Sequence, residues 1–225
     1  MKYGWVLVLV MVLTASVGLA RSFETGYEPE GLDQLEKQKG VFKTTLVDPD
    51  ADFSRYSKIY PKKVMLVVRD PGPRNEQPAT GSLLGKSSGG GVMPEWEELA
   101  ELKQIINDAI VAELGRGTDL ELVNDFGPGT LVLRAAVTDV VCDESSKVKT
   151  KDGEPALTVS QGTIVFDLID GETGIIRARV GERRKCRAAK GATPTVEGPW
   201  PNVASWAASA TADFCEELAR FTGSN

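Results

Sequence analysis

The sequence predicts an α+β fold, with one mixed, mostly antiparallel sheet of about five strands and two helices packed on one of its faces. Apolar residues recur at helical spacing in two separate stretches, and short apolar runs between them are typical of strands. A glycine-containing turn joins two of those runs. A helical connection followed by a meander and closed by a second helix gives this layered arrangement.

Both helices are predicted from periodicity. The first begins near Pro94, a residue that the first turn of a helix tolerates, and continues to Gly115. The second follows Pro201-Asn202. Its predicted buried stripe comprises Val203, Trp206, Ala207, Ala210, Phe214, Leu218 and Phe221.

The predicted strands cover residues 64–68, 120–123, 130–141, 163–169 and 175–182. The last two form a hairpin around the turn at 170–174, and the charged segment 143–156 is predicted to be a loop. Strand alternation places Arg177 and Arg179 on the face opposite Ala178 and Val180. That arginine face is expected to look towards solvent.

The first twenty residues have the three parts of a secretory signal peptide. Lys2 supplies a positive charge, residues 5–13 are continuously apolar, and Gly18 and Ala20 are small at the positions that precede cleavage. We therefore expect residues 1–20 to be a signal peptide, with retention as an uncleaved anchor as the alternative. No cysteine lies at the cleavage point, so we expect a soluble periplasmic or secreted protein without a lipid anchor.

Residues 21–61 carry few apolar side chains and are predicted to form an extended N-terminal arm. Residues 62–222 contain no internal repeat, which predicts a single α+β domain with a flexible Gly/Pro-rich loop at 70–93. Within that loop, residues 81–87 approximate a phosphate-binding loop, but the glycine spacing is one residue short. The acidic residues at 48–52 lack the glycine and glutamate of a calcium loop, which favours turn formation.

The chain contains no histidine, which excludes histidine-based nucleophile systems and histidine metal sites. No catalytic, cofactor-binding or metal-binding residue is predicted, and we expect a protein that is not an enzyme. A carboxylate-dependent enzyme using Asp139, Asp167 or Asp170 is the less favoured alternative. Without residues 1–20 the net charge is 25 − 32 = −7, which argues against nucleic-acid binding, and no later apolar run is long enough to span a membrane.

The densest basic segment lies in and after the last predicted strand. Seven cations fall within the 14 residues from Arg177 to Lys190. They suggest a patch for an anionic envelope component or an acidic partner protein, and the alternative is a solvated strand face that blunts the sheet edge. The candidate anionic-partner patch comprises Arg177, Arg179, Arg183, Arg184 and Lys185.

The three cysteines allow one disulfide and leave one thiol over. Cys142 and Cys186 each end a predicted strand, so a bridge between them is one pairing that the sequence allows. Cys215 lies inside the second helix and is expected to pack as a small apolar residue.

Several segments together resemble a bacterial envelope protein family known as a domain of unknown function, family thirty-three-thirteen. They span residues 42–221 and comprise Asp50-Ala-Asp-Phe-Ser-Arg-Tyr-Ser-Lys58, residues 126–139, Phe166-Asp-Leu-Ile-Asp-Gly-Glu-Thr-Gly174 and the terminal tryptophan helix. The resemblance implies an envelope protein and supplies no catalytic residues. Many members are lipoproteins, a feature that this sequence does not share. The expected function is a non-enzymatic binding or assembly domain, with a self-associating structural protein as the alternative.

Overall fold

The structure is a computed structural model that describes residues 31–69, 92–153, 155–186, 195–196 and 200–223. The predicted signal peptide at 1–20, most of the predicted loop at 70–93 and the glycine motif at 81–87 lie outside these ranges. Within them, no helix is both long and apolar enough to cross a membrane.

The described residues form two helices and a sheet of nine strands. The helices are α1 (Trp96–Gly117) and α2 (Val203–Thr222). The strands are β1 (Glu36–Gln38), β2 (Thr44–Val47), β3 (Lys58–Pro61), β4 (Met65–Val68), β5 (Glu121–Leu122), β6 (Thr130–Thr150), β7 (Pro155–Asp170), β8 (Ile176–Lys185) and β9 (Thr195–Val196).

The sheet is mixed, and its antiparallel centre is the meander of β6, β7 and β8. The strand order is β1-β2-β8-β7-β6-β3-β5, and β4 and β9 also pair with β6. Strands β3, β4 and β9 run parallel to β6, and β1 and β2 extend the sheet beyond β8 in antiparallel pairs. The α+β class and the mixed sheet are therefore confirmed.

The predicted number of about five strands is wrong. All five predicted strands are present, but β1, β2 and β3 come from the segment that the sequence assigned to an extended arm, and β9 has only two residues. Strands β1, β2 and β3 are three or four residues long, and only Thr45, Val47 and Ile59 of them are buried, so the apolar pattern is too short to reveal them. The predicted loop at 143–156 is instead mostly strand, because β6 and β7 continue their ladder to Lys149 opposite Pro155.

One large core fills the space between the sheet and the helices. It combines alternate residues of the three central strands with buried side chains of both helices, so α1 and α2 pack on the same face. Phe166 lies near its centre, with ring centroids 6.1 Å from Phe42 and 4.7 Å from Phe214. The helices approach closely where a Cβ on Gly117 would lie 2.9 Å from the Cys215 sulfur.

The structure contains no bridge between Cys142 and Cys186, because both are buried free thiols. Cys142 lies on β6 opposite Val159 of β7, and the N–H of Cys186 donates to the Ser160 carbonyl of β7 from the other side. Two strand spacings of about 4.8 Å separate such residues, which exceeds the roughly 7 Å reach of a disulfide. The pairing inferred from strand ends is therefore corrected, because β7 lies between the two strands whose ends carry the cysteines.

Candidate anion-binding site

The five residues of the predicted anionic-partner patch all lie on β8, but they do not form one surface. Arg177 and Arg179 each contact a buried carboxylate. Arg183, Arg184 and Lys185 instead line an open basin at the end of the strand. Residues that are neighbours in the sequence of β8 therefore lie in two different environments.

Arg179 belongs to a row of charged side chains that crosses the central strands. Arg134 on β6, Asp167 on β7 and Arg179 on β8 lie directly opposite one another in the ladder. Arg179 Nε donates to Asp167 Oδ1 at 2.6 Å, and Arg134 Nη2 donates to Asp167 Oδ2 at 2.6 Å. Asp167 is only 3% exposed. The two guanidinium groups compensate a carboxylate that burial would otherwise destabilise.

Arg177 is displaced from this row by a β-bulge. The ladder between β7 and β8 shifts between Leu168 and Ile169, so Arg177 has no residue directly opposite it. Its Nη1 donates to Asp48 Oδ2 at 2.6 Å, and its Nη2 lies 3.8 Å from Asp170 Oδ2. The expectation that Arg177 and Arg179 form a solvent-facing surface is wrong, because their side chains are only 17% and 30% exposed and each bonds to a buried carboxylate.

Asp170 is the centre of the second buried cluster. Its Oδ2 accepts hydrogen bonds from the Tyr56 hydroxyl at 2.7 Å and from Arg55 Nη2 at 2.9 Å. Burial alone raises the pKa of Asp170, but hydrogen bonds from the backbone N–H of Thr173, the Tyr56 hydroxyl and the backbone N–H of Glu172, together with the Arg55 charge, lower it overall. Burial and the hydrogen bond to Asp170 raise the pKa of Tyr56 to about 12.

The open basin lies between the end of β8 and the first half of α2, and it has a volume of about 650 Å³. Helix α2 contributes a wall of Ser205, Trp206 and Ser209. The charged side chains of the basin are Lys43, Arg183, Arg184, Lys185, Glu182 and Asp213. Four cations and two acids give the basin a net charge of 4 − 2 = +2, in a chain whose net charge is −6.

The cations of the basin differ in whether they already have partners. Arg184 bonds to both Glu182 and Asp213, and its guanidinium lies 5.4 Å from the centre of the Phe42 ring. Lys43, Arg183 and Lys185 are exposed and make no ion pair with any residue in the described ranges. These three side chains are available to an anion from outside the chain.

Sequence reasoning missed Lys43 and the wall from α2. Lys43 lies about 140 residues before Arg183 in the chain, and only the pairing of Thr44 with Gly181 brings the two segments together. Trp206 was predicted as a core residue and is 7% exposed, as expected. Its indole N–H is buried without a hydrogen-bond partner among the described residues, which no sequence pattern could reveal.

The acidic candidates do not converge on one site. Asp139 adopts a positive φ of 53° where β6 bulges, and its half-exposed carboxylate lies 3.2 Å from Arg69. Asp167 and Asp170 lie in the two separate clusters described above. Asp48 and Asp52 accept backbone hydrogen bonds from residues 50 and 54, which confirms turn and cap formation. The described part of the chain contains no group of three or more potential metal ligands.

A second, more apolar groove lies between α1 and β4. Leu66, Val68, Met93 and Trp96 line it, and Trp96 is 79% exposed. The chain enters and leaves residues 70–91 at this groove. Because those residues lie outside the described ranges, we assign no site there.

Comparisons with known proteins identify no family: no family model and no curated protein matches the sequence. Among solved structures, a PelC dodecamer from Paraburkholderia phytofirmans is 15% identical with a TM-score of 0.34, and the match covers 82% of this chain and 94% of that one. A PDZ domain protein from Parabacteroides distasonis is 11% identical with a TM-score of 0.38, covering 84% of this chain and 38% of that one. A neuraminyllactose-binding hemagglutinin homologue from Helicobacter pylori is 10% identical with a TM-score of 0.32, covering 78% and 91%. At these TM-scores the similarities do not assign a function.

Proposed function

We propose that this chain is a non-enzymatic binding domain of the bacterial cell envelope that holds an anionic partner in the basin of Lys43, Arg183 and Lys185. One observation carries the proposal. Three exposed cations meet at one basin of net charge +2, although the chain as a whole is acidic. The export signal and the family resemblance in the sequence support the envelope location.

The surrounding charge helps to define the kind of partner. A local positive basin attracts anionic groups, whereas the negative charge of the whole chain repels a long polyanion that would extend across the rest of the surface. Guanidinium and ammonium groups bind carboxylates and phosphates through charge-assisted hydrogen bonds. The proposed partner therefore presents a short anionic segment to the basin.

The placement of the acids supports a binding role over a carboxylate-dependent enzyme. Asp139, Asp167 and Asp170 each have an arginine partner, and they lie at different positions along β6 and β7. Catalysis by carboxylates needs acidic groups that converge on one reacting group, whereas these three lie in separate ion pairs.

Charge reversal within the basin tests the proposal. R183E/K185E changes the net charge by −4, and K58E/K62E makes the same change on exposed residues around β3, on the far side of the central strands. Binding is measured by fluorescence anisotropy with labelled polyglutamate and by co-sedimentation with phosphatidylglycerol vesicles. We expect the unmodified protein to bind at least one probe, with affinity reduced more than about tenfold in R183E/K185E and less than about twofold in K58E/K62E.

Equal losses in the two variants would show that binding depends on overall charge and would contradict the basin. Failure of the unmodified protein to bind either probe would also contradict it. Sedimentation over a range of protein concentrations distinguishes partner binding from the alternative function, which is self-association. A mass that rises with concentration, and that R183E/K185E returns to the monomer, would replace partner binding by self-association.

A further inference from the structure

The last residues of β8 have a neighbouring strand on one side only. Strand β7 pairs with β8 as far as Lys185, whereas β2 pairs with it only as far as Gly181, opposite Thr44. Before Thr44 the chain turns into the core, where Phe42 packs against Phe166. Within the described ranges, no strand covers the outer edge of residues 182–185.

The hydrogen-bonding pattern determines which backbone groups face this open edge. The N–H of Cys186 donates to Ser160 of β7 at 2.9 Å, and the carbonyl of Arg177 accepts from the N–H of Asp48 on the other side at 2.8 Å. In an antiparallel ladder, alternate residues direct both backbone groups to the same side. Arg183 and Lys185 have the same parity as Arg177, so their N–H and C=O groups face outwards.

The outward backbone groups belong to the same two residues that carry exposed cations without an ion pair in the described part of the chain. A strand that pairs here must place its own side chains beside Arg183, Lys185 and Lys43. Opposite charges on adjacent strands stabilise a pair and like charges destabilise it, so this edge selects an acidic strand and rejects a basic one.

We infer that the edge of β8 at Glu182–Lys185 binds an acidic, extended segment of a partner protein as an added β-strand. This inference rests on the proposed function and specifies the partner as a peptide chain. The added strand would exchange backbone hydrogen bonds with Arg183 and Lys185, and its carboxylates would lie among Lys43, Arg183 and Lys185.

The test uses a labelled ten-residue peptide of alternating Glu and Val and the same peptide N-methylated at every residue. N-methylation removes the backbone donors but keeps the carboxylates. We expect the unmethylated peptide to bind at least tenfold more tightly than the methylated one, and R183E/K185E to weaken its binding by a similar factor. K58E/K62E should change its affinity less than about twofold. Hydrogen exchange of the Arg183 and Lys185 amides should slow at least tenfold in the complex.

The outcomes separate this inference from the proposed function. Equal binding of the two peptides would overturn strand addition and leave anion binding in place. Peptide binding that is insensitive to R183E/K185E would overturn both. If the two amides are already protected without peptide, in an oligomer that forms as concentration rises, the edge belongs to a second copy of this chain and the partner segment is rejected.

Discussion

The two halves of β8 use the same kind of residue in different ways. In the proximal half, Ile176–Gly181, Arg177 and Arg179 each bond to a carboxylate that is almost completely buried. In the distal half, Glu182–Lys185, Arg183 and Lys185 are exposed and have no such partner in the described residues. A single strand therefore carries cations with two different roles.

The buried carboxylates explain the difference. Asp48 and Asp167 are 5% and 3% exposed, and a buried carboxylate without a partner is unfavourable by several kcal/mol. The fold therefore depends on the arginines of the proximal half. An exposed cation contributes little to stability, so folding does not account for Arg183 and Lys185. The comparison indicates that the proximal cations maintain the fold, whereas Arg183 and Lys185 are the cations that the proposed function assigns to a partner.

The largest expected effect is that of Asp167→Asn. The substitution leaves Arg134 and Arg179, whose side chains are 17% and 30% exposed, without their carboxylate. We expect the free energy of unfolding to fall by about 3 kcal/mol, since removing one partner of a buried ion pair leaves an uncompensated charge. Urea denaturation measures this change, and Tm should fall by roughly 6–12 °C for a chain of this size.

Asp213→Asn is the matched control from the distal half. Asp213 also bonds to an arginine of β8, but its side chain is 40% exposed. Its removal is expected to lower the free energy of unfolding by less than about 1 kcal/mol. Similar losses for the two variants would abolish the distinction between the halves of the strand.

A smaller effect, with a characteristic pH dependence, is expected for Asp170→Asn. The native pKa of Asp170 is lowered, so its contribution to stability is present above the unfolded pKa of about 3.9 and is lost as pH falls through the native pKa. The substitution is expected to remove about 2 kcal/mol at pH 7 and less at acid pH. Urea unfolding of the unmodified protein and the variant between pH 7 and pH 3 measures whether their free energies of unfolding converge.

Tyr56→Phe tests separately the contribution of the hydroxyl group that donates to the Asp170 carboxylate. The native pKa of Tyr56 is raised to about 12, so its contribution is present below the unfolded pKa of about 10 and is lost as pH rises from there towards 12. The Phe variant should lose part of the alkaline dependence. It should keep most of the acid dependence, because the Tyr56 hydroxyl is one of several groups that lower the pKa of Asp170. If the free energy of unfolding of Asp170→Asn falls with pH as steeply as that of the unmodified protein, the Asp170 carboxylate does not stabilise the native state.

The sequence predicted the helices and strands more accurately than it predicted which strands pair with each other. Helical periodicity predicted that Phe214 is buried, and strand alternation placed Val180 on the face opposite Arg179, which is the face that packs in the core. The pairing of Arg134 with Asp167 depends on the register between β6 and β7, which is not local. A signal was nevertheless available, since an Asp between Phe166 and Leu168 in an apolar strand requires a cation nearby.

The site was predicted only in part for the same reason. Arg183, Arg184 and Lys185 were recognised from their clustering in the chain, whereas Lys43 reaches the basin through a strand pairing with β8. Arg177 was expected to face solvent, whereas its guanidinium bonds to the buried Asp48 and its side chain is only 17% exposed. Local charge density therefore located the basin, and long-range pairing decided which cations belong to it.

A small effect is also expected for Cys186→Ser, just beyond the distal half. The Cys186 sulfur lies 3.6 Å from the Asn202 carbonyl, an acceptor that a serine hydroxyl can also use. We expect a loss of about 1 kcal/mol, the same with and without reductant, whereas loss of a disulfide would remove about 2–5 kcal/mol. Urea denaturation of both proteins in the two conditions measures the difference.

Thiol titration completes this test. Burial raises the pKa of Cys142 and Cys186 to about 12, so neither should react with a thiol reagent in the native protein at pH 8. After unfolding without reductant, all three cysteines of the chain should react. One reactive thiol would mean that β6 and β8 approach each other without β7 between them. The ladder that aligns Arg134, Asp167 and Arg179 would then be wrong, and with it the distinction between the two halves of β8.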